Sequence, residues 1–181
     1  MLENKLPLVA VCGKFQPFHN EHFQYVLQAF DEGHHVIIGI TNPDPKMTRH
    51  EDADPARSMP ESNPFTYYER YKMITNCLAE QGVDRSLFDI VPFPLNIPEV
   101  WHHYIPRTAV FLVTLYGDDH WLEIRQEKLQ SAGLSVKVLW SKESKGVTGN
   151  EVRDLINQGM QWEHLVPSGT TKVVKDVLNN R

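Results

Sequence analysis

The stretch Leu8-Val9-Ala10-Val11-Cys12-Gly13-Lys14-Phe15-Gln16-Pro17-Phe18-His19-Asn20-Glu21-His22 changes character twice within fifteen residues. Leu8–Cys12 is a continuous apolar run with no polar alternation, the pattern of a strand buried on both faces, as in a parallel sheet. The run breaks at Gly13, and a loop follows through Pro17 to His19. From Asn20 the period changes. Phe23, Val26, Leu27 and Phe30 recur at helical spacing, and Gly33 is a helix stop.

Working outward, this strand–loop–helix unit recurs along the chain. His35–Thr41, Phe88–Phe93, Ala109–Tyr116 and Val136–Trp140 are further short apolar runs read as strands. Thr66-Tyr67-Tyr68-Glu69 reads as a capping box opening a helix to about Gln81, and Thr148-Gly149-Asn150-Glu151 as a second one. Pro98 suits the first turn of a short helix through Trp101 and Tyr104. Asp118–Ala132 and Ser168–Leu178 complete the helical segments. Alternation of strand and helix with continuous apolar strands predicts an α/β fold. The expectation is a Rossmann-like doubly wound sheet of about five parallel strands, with helices on both faces. Ligands then belong at the carboxyl ends of the strands.

One segment stands apart. Residues 42–64 hold five prolines and many charges but little apolar content. A loop of that length inside a compact domain is either functional and mobile or a solvated insertion. No linker divides the chain, so one domain over residues 1–181 is expected.

The 181 residues are enough for a substantial core, with 41% hydrophobic and 23% charged residues. A net charge of -5 argues against wholesale nucleic-acid binding, so an anion site must be local. No apolar stretch approaches a membrane span, no signal peptide is recognised, and a cytoplasmic location is expected. Cys12 and Cys77 read as two buried thiols, with a single disulfide as the alternative. The adjacent pairs His34-His35 and His102-His103 read as surface or edge residues.

The chemistry-bearing signal lies between strand one and the first helix. The free N–H groups of a helix start face a ligand there, which favours phosphate. His19 and His22, three apart on the first turn, share a face and can converge on one group. Core packing of one of them is the plainer alternative. A zinc pair lacks an obvious third ligand.

Gly13-Lys14-Phe15-Gln16-Pro17-Phe18-His19-Asn20-Glu21-His22 resembles the Gly-Arg-Phe-x-Pro-x-His-x-Gly-His signature of the nucleotidyltransferase superfamily. Thr148-Gly149-Asn150-Glu151-Val152-Arg153 resembles its second motif, Ser-x-Thr-x-x-Arg. Asn63-Pro64-Phe65-Thr66 with Glu69-Arg70 is similar to a segment of the archaeal-type nicotinamide-nucleotide adenylyltransferases. The stretch from Gly39 to Asp44, with the charged loop and Asn-Pro-Phe-Thr, is similar to cytidylyltransferases acting on phosphonates or sugar-free phosphates.

The resemblance implies in-line attack of an acceptor oxygen on the α-phosphorus of a nucleoside triphosphate, with pyrophosphate leaving. It implies His19, His22, Lys14 and Arg153 as the catalytic, phosphate-handling set. Gly13, Phe15, Gln16, Gly117, Asp118, Thr148 and Asn150 would border the nucleotide. Mg²⁺ would ride on the phosphates, with no dedicated protein ligands. Asp118 and Asp119 read instead as helix-capping residues. The acceptor side is expected to involve Thr41, Asn42, Lys46, Arg49, Arg57 and Trp101, with core packing as the other reading of Trp101.

Several positions depart from the family. Lys14 replaces an arginine and loses its bidentate fork. Glu21 replaces a glycine that lets nucleotide approach the backbone, and Asn150 replaces a threonine. Pro94 and Pro98 occupy positions where polar side chains would hold a nicotinamide carboxamide. The expectation is therefore transfer of a nucleotidyl group, cytidylyl rather than adenylyl, to a small phosphate or phosphonate. Synthesis of a nicotinamide dinucleotide, a non-catalytic nucleotide-binding module and an unrelated flavodoxin-like carrier are the alternatives. Nucleobase, acceptor and a possible homo-oligomer stay open.

Overall fold

The computed structural model describes residues 5–117 and 119–181. The strands are β1 (Leu6–Gly13), β2 (Gly33–Ile40), β3 (Phe88–Pro92), β4 (Val110–Tyr116) and β5 (Ser135–Lys142). The helices are α1 (Asn20–Glu32), α2 (Tyr67–Glu80), α3 (His120–Ser131), α4 (Gly149–Asn157) and α5 (Ser168–Asn180). All strand pairings are parallel, in the order β3-β2-β1-β4-β5. The expected Rossmann-like sheet is therefore what the chain forms.

Strand periodicity sorts the core into two faces. On β1, Val9 and Val11 pack with Tyr25 and Val26 of α1, Ile74 of α2, Val152 of α4 and Val174 of α5. Ala10 and Cys12 point the other way, towards Trp121 and Leu129 of α3 and the segment containing Phe93 and Trp101. On β2, Ile38 and Ile40 belong to the first cluster and Ile37 to the second. Both faces of the strands are buried, which is why they read as continuous apolar runs. No helix among the described residues is long and apolar enough to cross a membrane.

Order β3-β2-β1-β4-β5 places the switch point between β1 and β4. Chains leaving these two strands diverge, opening a crevice at their carboxyl ends. The Gly13 end of β1 and the Tyr116 end of β4 flank it.

Local signals act mostly as read. The Thr66 capping box is complete: Glu69 N–H donates to Thr66 Oγ1 at 3.2 Å and Thr66 N–H to Glu69 Oε2 at 2.8 Å. At Thr148 only the threonine half forms, from Glu151 N–H at 3.2 Å. The segment from Pro98 to His103 is a 3₁₀ helix. Residues 42–64 contain two 3₁₀ turns, Pro55–Ser58 and Pro60–Ser62. The Asn42 and Asn63 amides both donate to the Arg57 carbonyl, at 3.0 and 2.9 Å, and close this segment on itself. Buried Glu51 anchors it to Lys128 of α3 at 2.9 Å.

Cys12 and Cys77 are free and buried. Burial pushes their thiols up, to about 12 and about 11 respectively, so neither is a thiolate nucleophile.

Candidate active site

The loop leaving β1 doubles back on itself. Phe15 adopts a left-handed φ of 52°, a conformation that a bulky residue holds only when its surroundings compel it. Its buried ring lies so close under Gly13 that a Cβ there would meet it at 2.5 Å. The Gln16–Pro17 peptide is cis. The Gln16 side chain pairs both ways with the Phe65 backbone, at 2.8 and 2.9 Å.

Beneath this loop, the buried guanidinium of Arg70 donates to the carbonyls of Lys14 (2.9 Å), Thr41 (2.7 Å), Asn42 (2.8 Å) and Thr66 (3.1 Å). One side chain thus fixes the ends of β1 and β2 and the start of α2.

His19 is the N-cap of α1, and its Nδ1 accepts the His22 backbone N–H at 3.4 Å. That bond assigns the tautomer: the proton sits on Nε2, leaving it a donor. The His19 and His22 rings stack with centroids 3.6 Å apart. Burial, then the Lys145 and Arg153 charges, holds the His19 imidazole down to about 3. Burial, with His19 and Lys145 beside it, holds His22 well below its ordinary value. Both rings are neutral in the free protein. Burial is the larger cause, and the cations that add to it give the pocket a positive potential that suits an anion.

From the far end of the chain, α4 delivers the second motif. Buried Arg153 donates from Nη1 to the Gln16 carbonyl at 2.5 Å, and its Nη2 bonds Asn150 Oδ1. A Cβ at Gly149 would stand 2.9 Å from the same Gln16 oxygen, so this contact needs glycine. Burial, then repulsion from Arg57 and Arg153, pushes the Lys14 ammonium down to about 7.

Both motifs line one cleft of about 330 Å³ at the switch point. On its walls stand Lys14, His19 and His22 from one motif and Thr148, Asn150 and Arg153 from the other. Gly13, Phe15, Gln16 and Arg57 of the expected set also line it. The remaining expected residues are placed differently. Gly117 is exposed and outside the cleft lining, its N–H donating to the Lys142 carbonyl at 3.0 Å. Asp118 lies outside the described residues. Thr41 and Asn42 serve the backbone network of Arg70 and do not line the main cleft. Lys46 is exposed, and Arg49 pairs with Glu99 at 3.2 Å. Trp101 is corrected outright. It is buried against Phe93, its indole N–H donates to the Pro94 carbonyl at 3.0 Å, and it does not reach the cleft. The other reading of Trp101, core packing, is the one the structure adopts.

Asp119 stands at the N-cap position of α3 without capping it, and its carboxylate pairs with Lys145 instead. The structure also brings in residues the sequence did not single out. Lys145 comes from the turn before α4, Trp121 and Arg125 from α3, and Tyr116 from the end of β4. Their one sequence signal is the i, i+4 spacing of Trp121 and Arg125 on a helix leaving a switch-point strand. Glu21 accepts from the Tyr116 hydroxyl at 2.8 Å and from Gly146 N–H at 3.3 Å. Among the described residues, no group of three or more His, Cys, Asp or Glu converges as metal ligands.

A parallel α/β sheet with a histidine pair at the first helix start and an arginine at a later one is the framework of a nucleotidyltransferase. The chain belongs to the cytidylyltransferase-like family, whose model matches residues 10–155. It is 43% identical to phosphonoformate cytidylyltransferase of Streptomyces viridochromogenes, over 92% of this chain and 89% of that protein. It is 27% identical to a nicotinamide-nucleotide adenylyltransferase of Thermococcus sibiricus, over 91% and 81%. In three dimensions it is similar to a bifunctional NMN adenylyltransferase/ADP ribose pyrophosphatase from Francisella tularensis. The TM-score is 0.66 at 16% identity, covering 93% of this chain and 49% of that one. The chain thus spans about half of the bifunctional protein, and this likeness concerns the fold.

Proposed function

We propose that this nucleotidyltransferase moves the cytidylyl group of CTP onto a small phosphonate or phosphate, releasing pyrophosphate. The observation that carries the reading is the retreat of Trp101 into the core beside Pro94. Trp101 so placed offers no stacking face to the cleft, and Pro94 and Pro98 have no polar side chain for a carboxamide. The phosphonate-using relative is also much nearer in sequence than the adenylyltransferase.

In this reading an acceptor oxygen, already anionic at neutral pH, attacks the α-phosphorus in line. The bond to the bridging oxygen of the β-phosphate breaks, and pyrophosphate departs with that oxygen. No protein nucleophile or general base is required. Catalysis is positioning and charge stabilisation. Nε2–H of His19, with His22 stacked behind it, donates to phosphate oxygens whose charge grows in the transition state. Arg153 and Lys14 hold the leaving pyrophosphate portion, and the N–H groups at the start of α4 add the helix dipole.

Of the cleft carboxylates, Glu21 and Asp119 are committed to Tyr116, Gly146 and Lys145, and Asp54 stands singly near Lys14 and Arg57. That donor set fits an ion held by the triphosphate and water. Mg²⁺ so bound would offset phosphate charge.

Pyrophosphate release measured for CTP and ATP against phosphonoformate, methylphosphonate and nicotinamide mononucleotide tests the proposal. Turnover with CTP and a phosphonate is expected. Turnover confined to ATP with nicotinamide mononucleotide would overturn it.

A further inference from the structure

Arg125 carries a charge that no ion pair among the described residues neutralises. It lies on α3 and is only 6% exposed. Nη1 donates to the Cys12 carbonyl at 3.1 Å, at the carboxyl end of β1. Its buried Nε and Nη2 have no hydrogen-bond partner, and no carboxylate pairs with it among the described residues. Leaving a guanidinium buried in this state is costly unless a ligand completes it.

A second guanidinium compounds the cost. Arg57 stacks on the Trp121 ring, its Cζ 3.6 Å from the centroid, while Arg125 Cζ is 5.5 Å from the same centroid. All three side chains line the active-site cleft. The two cations repel: burial, then Arg125, pushes Arg57 down to about 10, against the opposing pull of Asp119, Asp54 and Glu51. Trp121 holds both forks beside one space, and planar forks match oxyanions bidentately.

We propose that Arg57 and Arg125, seated against Trp121, form a paired-guanidinium subsite for a non-reacting anionic group of the acceptor. The acceptor class is then a phosphonate or phosphate carrying a second oxyanion, such as a carboxylate, on a short link. This rests on the acceptor reading above, to which it adds the recognition of a second charge. It also gives the unpartnered donors of Arg125 an acceptor: the second oxyanion meets them, and methylphosphonate, which has none, leaves them unmet.

The test has two arms. In turnover, the kcat/KM ratio of phosphonoformate over methylphosphonate should fall roughly 10–100-fold in Arg125→Met and in Arg57→Met, the range for losing a charge-assisted pair. Arg125→Lys, which keeps charge and loses the fork, should fall part of the way. KM for CTP should move far less than KM for phosphonoformate. In binding, phosphonoformate is titrated calorimetrically into protein saturated with a non-hydrolysable CTP analogue, which fills the pyrophosphate position. The wild-type protein should bind it and Arg57→Met should bind it at least about tenfold more weakly. Arg57 makes no buried side-chain hydrogen bond, so that variant reads the subsite even where Arg125→Met fails to fold. An unchanged ratio with unchanged binding would overturn the subsite. Arginine-dependent binding without turnover on CTP would leave the subsite standing and overturn the cytidylyl reading instead.

Discussion

Nη1 of Arg153 donates a hydrogen bond of 2.5 Å to the carbonyl of Gln16, across 137 residues of sequence. The contact welds the loop after β1 to the start of α4, so the two motifs form one wall of the cleft. Gly149 stands at the closest approach, where a Cβ would meet the Gln16 oxygen at 2.9 Å and Arg153 Nη1 at 3.1 Å. A backbone oxygen cannot swing aside as a side-chain end can. Gly149→Ala is expected to push α4 away from the loop at a cost of about 1–3 kcal/mol. CTP affinity should fall with it. A chemical-denaturation midpoint alongside a CTP titration checks both effects.

His19 and His22 are neutral and face a site built for anions. In the proposed mechanism their hydrogen bonds strengthen as charge develops on the phosphate oxygens, so removing one should lower kcat more than nucleotide affinity. His19→Ala or His22→Ala is expected to lose about 10²–10³ in kcat, the range for one preorganised donor. A Kd for CTP within a few-fold of wild type should accompany it. Single-turnover kinetics with direct CTP binding separates the two quantities. A variant retaining nearly full kcat would remove the histidines from the mechanism.

Lys14 links the site to pH. Its ammonium is pushed from 10.5 down to about 7 by burial and by Arg57 and Arg153. The unfolded chain therefore holds more protons than the folded one between those two values. By linkage, this group makes stability rise with pH from about 7 towards 10.5, and its full penalty applies below 7. A bound triphosphate restores the charge. CTP binding at pH 8 should be accompanied by proton uptake, and Lys14→Met should abolish that uptake. Calorimetry in two buffers of different ionisation enthalpy measures it, and equal heats in both buffers for wild type would exclude the coupling.

Arg70 is buried, and its guanidinium is bonded to backbone carbonyls. Arg70→Met would leave several buried acceptors unpaired at about 1–3 kcal/mol each. Thermal unfolding should show a large drop in Tm, and the loops after β1 and β2 should lose hydrogen-exchange protection together. Loss confined to α2 would mean that Arg70 does not couple these loops.

Much of this was legible in the sequence, for local reasons. Strands buried on both faces must be apolar throughout, so Val9–Cys12 and Val36–Ile40 announce a parallel sheet. Thr66 and Glu69 satisfy each other within four residues, so their box is written locally. His19 and Arg153 were legible because their motifs resemble a family signature. The acceptor wall was not legible in the same way. Trp101 looks the same in sequence whether its indole meets a ligand or the Pro94 carbonyl, and only tertiary packing decides. Arg125 carries no local mark of its place in the cleft, which exists only once β1 and α3 are brought together. The segment 42–64 folds through contacts with distant partners such as Lys128, which no local pattern encodes.

Glu21 is the departure whose consequence is most open to measurement. It stands where the family carries glycine, and its carboxylate bridges the Tyr116 hydroxyl and the Gly146 N–H. Trp140 Nε1 donates to the same Tyr116 oxygen at 3.1 Å, so the bridge extends into β5. The side chain both ties α1 to the turn carrying Lys145 and occupies part of the cleft. Glu21→Gly should therefore act in two opposite senses. Loss of two hydrogen bonds to a charged acceptor should cost about 1–3 kcal/mol of stability. The vacated space and lost negative charge should admit a larger base, lowering the CTP-to-ATP ratio of kcat/KM about tenfold, or about 1.4 kcal/mol of discrimination. Glu21→Gln keeps the size and removes the charge, so it separates the two causes. If the ratio falls in the glycine variant alone, bulk sets base preference. If it falls equally in both, charge does, and an unchanged ratio in both would confine Glu21 to holding the loop.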